Sequence, residues 1–364
     1  MKIGVVKESK VLEGRVALIP AACGELVQLG HEVYLQRGAG ELSGYADTDY
    51  QAQGVCLCDN AQALYEAAIL IVKVKEPIAE DLASLGPQHI LFCYLHLAAS
   101  PELTDKLCEI GLTAIAFETV TDAAGGLPLL KPMSEIAGKL ATQIGTHLLH
   151  QPQGGRGIML GGLSHTDRGH VVVLGAGVAG SAAARLAAAM GAEVSLIDRD
   201  ASRLAPLQDE FTHVQGIVAS EAAISEAVAR ADLLVGAVLL PGLHAPRLVT
   251  EQQVKSMRPG SVIIDISVDQ GGCIETIHPT DYRSPTYSIH DVLHFAVTNM
   301  PGAVPRTASQ ALSAAILPYV KRLCEEGWEQ QADLQDGVNI RAGRIDNPLI
   351  AQAMANHSDT TTDK

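Results

Sequence analysis

The sequence predicts an α/β protein of two doubly wound, Rossmann-like domains, each with a mainly parallel sheet, joined by long helices. Three observations predict it. Short apolar runs alternate with segments of helical spacing along most of the 364 residues. A Gly- and Pro-rich passage around 120 to 132, TDAAGGLPLLKPM, separates two such stretches. In the second stretch an apolar run at 171–174 leads directly into GAGVAG and an Ala-rich segment. The expected domains are residues 1–130, completed by 306–364, and residues 131–305.

In the first domain the strand signals are KIGVV (2–6), EVYLQ (32–36), AILIVKV (68–74), HILFCYL (89–95) and TAIAFE (113–118). Helical spacing between them is clearest in PAACGELVQLG (20–30) and SPELTDKLCEIG (100–111). Beyond the Gly/Pro passage, Ser134 is placed to cap a helix over 134–150. A loop at 151–169 leads to the strand VVVL (171–174), the Gly-rich turn, a small-residue helix to Met190, and EVSLID (193–198). Further strands are expected at 231–238, 261–266 and 286–290, then one long helix from about 306 that packs back on the first domain.

A net charge of −15 argues against nucleic-acid or anionic-membrane partners, which need basic surface, but leaves room for a small anionic substrate. No apolar run reaches membrane-spanning length, and MKIGVVKESK lacks the apolar core of a signal peptide. The seven cysteines show no CxxC spacing, and five lie in or beside apolar stretches, as expected for reduced thiols in a cytoplasm. Cys56 and Cys58 as a redox pair are the weaker reading. Glu118 and other carboxylates are of a type that binds a divalent ion, but no ligand cluster of recognisable spacing points to a metal.

GAGVAG fits the dinucleotide-binding pattern GxGxxG in its proper strand–turn–helix setting. Gly175 permits the tight turn, Gly177 the approach of pyrophosphate, and Gly180 close packing of the helix. The free amides of the helix start attract phosphate. Asp198, ending the next strand, suits ribose hydroxyls and so NAD over NADP, with Arg199 and Arg203 as competing partners for a 2′-phosphate. Arg15, Lys75, His96 and Asp269 stand at or near the ends of apolar runs, where doubly wound sheets bind ligands. Each has a plain alternative: Arg15 as a surface cation, Lys75 as a solvated strand end, His96 as a core histidine, Asp269 as the cap of the QGG turn. Together they suit a carboxylate clamp and proton transfer beside NAD, on a hydroxy acid or an amino acid.

The chain resembles the alanine dehydrogenase/pyridine nucleotide transhydrogenase family from residue 1 to about 325. The resemblance rests on KESKVLEGRVALIP (7–20), VKVKEP (72–77), YLHLA (94–98), the stretch 116–145, LLPGLHAPRLVT (239–250), IDISVDQGGCIET (264–276) and HFAVTNMPGAVPRT (294–307). It implies NAD-dependent, reversible oxidative deamination of L-alanine to pyruvate and ammonia by a cytoplasmic homohexamer. Arg15 and Lys75 would bind the substrate carboxylate, and His96 and Asp269 would be catalytic. Ser134, Gly175, Gly177, Val178, Ala179, Gly180, Asp198, Arg203, Ser220, Leu239 and Leu240 match cofactor positions. So do Ile266, Ser267, Val268 and Asp269, and Val297, Thr298, Asn299 and Met300. On this reading Asp269 ends a strand facing the nicotinamide and the glycines let cofactor and backbone approach. Departures from the family pattern are Val6, Gly14, Ile19, the loop LSHTDR (163–168) and Asp291. A related amino- or imino-acid dehydrogenase, a soluble transhydrogenase-like subunit, or a silent NAD-binding protein are the alternatives.

Overall fold

A computed structural model describes residues 1–238 and 245–362. The chain divides into two compact units: Met1–Met133 together with the chain from Gly302 onward, and Ser134–Pro301.

In the first unit the strands are β1 (Lys2–Val5), β2 (Glu32–Gln36), β3 (Cys56–Cys58), β4 (Leu70–Val72), β5 (Ile90–Cys93) and β6 (Thr113–Ala116). All six are parallel, in the order β3-β2-β1-β4-β5-β6. In the second unit they are β7 (His170–Leu174), β8 (Glu193–Asp198), β9 (Val214–Val218), β10 (Leu233–Gly236), β11 (Val262–Asp265), β12 (Thr286–Ile289) and β13 (Val292–Phe295). Their order is β9-β8-β7-β10-β11-β13, all parallel, with β12 antiparallel on the β13 edge. Each sheet thus reverses winding direction at its first strand, and the crevice beyond the carboxyl ends there is where this architecture takes ligands.

The residues explain the strands. In β4 and β11 every residue is buried, as in a sheet covered on both faces. The apolar pattern does not flag β3, a three-residue edge strand that is partly exposed, β9, whose VQGIV is broken by Gln215 and Gly216, or β13, a second short strand directly after the one expected at 286–290. The tail also departs from one long helix. Helix Pro305–Leu323 lies on the first unit, where Ser309 Oγ accepts the Val16 N–H at 2.9 Å and Ser313 Oγ the Ile19 N–H at 3.1 Å. After it β14 (Val338–Arg341) and β15 (Arg344–Ile345) extend the first sheet antiparallel beside β6.

The helix expected to begin at a Ser134 cap begins at Lys131 and runs to Leu148. Pro132 sits in its first turn, where a missing N–H costs nothing, so Ser134 is inside the helix rather than its cap. Among the described residues no helix is long and apolar enough to cross a membrane.

Candidate functional site

The first unit concentrates charge just beyond β1, β4 and β5. Arg15 is 3% exposed, which overturns its reading as a surface cation. Glu13 holds it: Nε donates to Oε1 at 2.7 Å, Nη2 to Oε2 at 2.5 Å, and Oε1 also accepts the Arg15 N–H at 3.1 Å. Burial works against the charge, but the Glu13 hydrogen bonds and charge outweigh it and keep the guanidinium firmly protonated. Its Nη1 is turned to Met133 Sδ at 3.2 Å.

The strand ending in Val72 does not reach Lys75, as the run AILIVKV suggested. Lys73 is the buried lysine here, 1% exposed, 3.7 Å from Glu8 and 3.3 Å from Asp81. Burial raises the Glu8 carboxyl despite Lys73. Glu8 also accepts the Val74 N–H at 2.6 Å, which fixes the peptide just before Lys75. Lys75 itself is half-buried. At its neighbour Glu76, burial opposes ionisation, but a hydrogen bond from Lys10 and the Lys75 charge hold the carboxyl below its ordinary value.

His96 follows β5 in the left-handed region, φ +52°, with half its side chain exposed. It is not a core histidine. A left-handed L-residue costs roughly 1–2 kcal/mol and persists where its surroundings over-determine it. The chain is held on both sides of it: Glu118 accepts the Leu95 N–H at 3.1 and 3.2 Å and the His96 N–H at 2.5 Å, and His96 O accepts the Ala99 N–H at 3.0 Å. Tyr94 stacks on the imidazole with ring centroids 6.1 Å apart and planes 6° from parallel. The Tyr94 hydroxyl donates to Leu129 O at 2.7 Å; burial raises its pKa, against the nearby Arg15 charge. Tyr94 therefore links the environments of Arg15 and His96. Glu13, Lys73 and Tyr94 were not singled out as site residues from the sequence, and Glu118 was considered there only as a carboxylate for a divalent ion. Each lies within two or three residues of one that was, or pairs with it through the sheet register.

In the second unit the site is built from main chain. Gly175 has φ +98°, and a Cβ there would stand 2.6 Å from Ala237 O. A Cβ on Gly180 would meet Gly175 O at 1.7 Å, so the helix Val178–Ala189 can close on the turn only with glycine at that position. Gly177 differs: a Cβ there meets nothing within 4 Å. Packing of the protein does not need that glycine, whereas approach of a phosphate to the helix start does. Beside it Val178 is 43% exposed, an apolar side chain left at the mouth of the loop, with Ala179 next to it on the helix.

Asp198, at the end of β8, accepts the Ala176 N–H at 2.7 Å and the Asp200 N–H at 2.9 Å. Each oxygen keeps a lone pair for a ribose hydroxyl. Arg203 is exposed and 3.5 Å from Asp200. Ser220 caps the helix Glu221–Arg230, accepting the Ala223 N–H at 3.2 Å. Asn299 is left-handed at φ +60° in the segment Val297, Thr298, Asn299 and Met300, which is tied down by Thr298 N–H to Thr280 O and by Tyr282 Oη to Met300 O. Leu239 and Leu240 lie outside the described residues. The glycine cradle, the open space over Gly177 and the acidic strand end together fit a dinucleotide.

The turn after β11 corrects one expectation. The strand ends at Asp265, and Asp269 sits four residues on, exposed, in a one-turn helix with Ile266, Ser267 and Val268. Asp265 is the buried carboxylate, accepting the Ser267 and Cys273 N–H groups at 2.8 Å each, with its pKa raised by burial against those bonds. It organises the turn that linear spacing would let Asp269 cap. Gly271 and Gly272 have φ +90° and +74°, and a Cβ on Gly272 would meet Ile277 at 2.2 Å. Backbone geometry explains these glycines without a cofactor.

A cavity of about 940 Å³ in this unit, lined by Arg168, His170, Glu193, Arg230 and Asp232, lies at the opposite, amino-terminal ends of the strands. It is remote from the Gly-rich loop and takes no part in the site.

The fold and loop define the second unit as a pyridine-nucleotide-type Rossmann unit. The family models "Alanine dehydrogenase/PNT, N-terminal domain" and "Alanine dehydrogenase/PNT, C-terminal domain" match residues 4–137 and 141–348. The chain belongs to the alanine dehydrogenase/PNT family. It is 46% identical to alanine dehydrogenase of Halomonas elongata, covering 97% of this chain and 96% of that protein. It is 45% identical to that of Mycobacterium tuberculosis, covering 98% and 93%. A solved structure of an L-alanine dehydrogenase superposes with TM-score 0.94 at 46% identity, over 98% of this chain and 99% of that one. A transhydrogenase from Sinorhizobium meliloti shares the fold, with TM-score 0.83 at 24% identity over 96% and 99%.

Proposed function

We propose that this chain is an NAD-dependent L-alanine dehydrogenase, interconverting L-alanine with pyruvate and ammonia. The observation that carries the reading is the first unit's cluster: a guanidinium locked by Glu13 and an imidazole presented on a left-handed turn. It occurs in a chain close to half identical to alanine dehydrogenases along nearly its whole length.

Arg15 and Lys75 hold the substrate carboxylate, the guanidinium through its planar fork and the ammonium as a point charge. Glu13 and Met133 fix the plane of that fork before substrate arrives. His96 takes a proton from the water that adds to iminopyruvate. It returns the proton to nitrogen as the carbinolamine collapses to pyruvate and ammonia. Asp269 is the active-site partner of His96, its carboxylate holding the imidazole or the reacting group in place. NAD, when bound, supplies the acceptor for the hydride that leaves Cα of alanine. The amides of Val178, Ala179 and Gly180 receive its pyrophosphate, and Asp198 its adenosine ribose. Ser220 keeps a hydroxyl proton to donate. Ser134, Arg203, Leu239, Leu240, Ile266–Asp269 and Val297–Met300 complete the cofactor contacts by the family resemblance. The resemblance also supports a cytoplasmic homohexamer, which light scattering tests.

The experiment is NADH formation on addition of L-alanine, against glycine, L-serine and lactate as competing substrates. No signal with alanine removes the assignment. The ratio of specificity constants for NAD and NADP, with and without Asp198→Ala, tests the cofactor. The unmutated protein is expected to prefer NAD clearly, and the variant to narrow that gap because Arg199 and Arg203 are close by.

A further inference from the structure

We infer that Glu118 is a positioning residue for His96: its carboxylate fills a main-chain nest and fixes the imidazole so that Nε2 exchanges protons with the substrate. The inference rests on the acid–base reading of His96.

Sheet register brings the two residues together. β5 and β6 are parallel with Cys93 opposite Ala116, so the chain two residues beyond each sets Leu95 beside Glu118. Glu118 is carried on the single turn Phe117–Thr119 that comes after β6. The N–H groups of Leu95 and His96 point to the same side of the chain, which makes a concavity for an anion, and the left-handed His96 then turns the chain away from it. The Glu118 carboxylate occupies it, with both oxygens on the Leu95 N–H and Oε1 on the His96 N–H.

The oxygen that accepts the His96 N–H also lies 3.9 Å from His96 Nδ1. That is too long for a hydrogen bond, but it sets a negative charge on the Nδ1 side of the ring. The proton of the neutral imidazole is favoured there, and the Nε2 lone pair is left to act as base. Stacking on Tyr94 restrains the ring plane. Exposure divides the roles: the Glu118 side chain is 14% exposed and that of His96 50%. The carboxylate stays behind while the imidazole is presented. The nest and the imidazole together account for where Glu118 sits.

A double-mutant cycle separates this role from a merely structural one. Turnover, pyruvate KM and NADH Kd are measured for Glu118→Ala, Glu118→Gln, His96→Ala and both double variants. Glu118→Ala is expected to lower kcat about ten- to a hundredfold, the worth of a charged hydrogen bond, with KM and Kd within about twofold. Glu118→Gln keeps a carbonyl acceptor for the nest and loses less. In the His96→Ala background neither substitution slows the enzyme further. The same fold loss in both backgrounds, or a normal kcat for Glu118→Ala, overturns the inference while leaving the reading of His96 intact. A normal rate for His96→Ala overturns both. If Glu118→Ala does not fold, the glutamine arm of the cycle separates the same outcomes.

Discussion

The two sheets share one winding order and differ in the loop that leaves the first strand. After β1 the chain runs from Val6 to Ile19 before its helix, and in that passage it buries the side chains of Glu8, Glu13 and Arg15. After β7 it turns at once through Gly175, Ala176 and Gly177 into the helix Val178–Ala189. One site is made of paired side-chain charges, the other of glycines and amides. The same topology hosts both because the scaffold fixes where strands end, and the loop decides which groups stand there.

The largest expected effect tests the side-chain half. His96→Ala should cut turnover by roughly a hundred- to ten-thousandfold, as general acid–base catalysis contributes, with NADH binding unchanged. If its rate and pH dependence match the parent protein, the charged half is not the catalytic one.

Two lysines two residues apart sharpen the contrast within that half. Lys73→Met leaves the buried Glu8 and Asp81 carboxylates without their cation and should destabilise the protein by about 3–5 kcal/mol in urea unfolding. Lys75→Ala should leave stability alone and lower kcat/KM for pyruvate about ten- to a hundredfold. If the two phenotypes were exchanged, the assignment of clamp and core would be reversed.

The second unit buries a neutral imidazole where the first buries an ion pair. Burial lowers the His294 pKa to about 4, and Thr276 and Val292 hold both ring nitrogens. A depressed pKa gives stability that is present above the unfolded value near 6.5 and lost as pH falls toward 4. That loss should reach about 3 kcal/mol. Asp265, raised by burial, titrates in the opposite sense. The thermal midpoint of His294→Gln should be lower at pH 7 and flatter between pH 6.5 and 4. A parallel curve for both proteins would mean that His294 does not carry the acid lability.

The smallest effects separate two glycines of one loop. Gly177→Ala should keep the thermal midpoint, because its Cβ meets no protein atom, and weaken NADH binding about tenfold, or about 1.4 kcal/mol. Gly180→Ala must displace the Gly175 carbonyl and should lower stability and cofactor affinity together. Equal stability losses would show that the space above Gly177 is not open.

Glycine spacing and apolar runs made the second unit legible, since a dinucleotide loop is contiguous in sequence and its context is local. GAGVAG, Asp198 at a strand end, and the helix after them all stand where the pattern put them. The 266–270 turn was less legible. SVIIDI runs on to SVDQGG without a polar break that marks the strand's end, and the carboxylate that organises the turn proved to be Asp265, inside the apolar run. In the first unit Glu118 reaches His96, and Glu8 and Asp81 reach Lys73, from separate segments of the chain, so linear spacing was silent about them.

By itself the sequence determined the two α/β halves, the cofactor loop and the identity of the charged groups near strand ends, because short-range periodicity and contiguous motifs encode these. Tertiary structure decided which charges are buried and what each one holds. Only the β5–β6 register sets Glu118 under His96, and only the meeting of three segments leaves Lys73, rather than Lys75, between two carboxylates. A carboxylate's effect depends on what lies within about 4 Å of it and how much water reaches it, and neither distance nor solvent access is written in linear spacing.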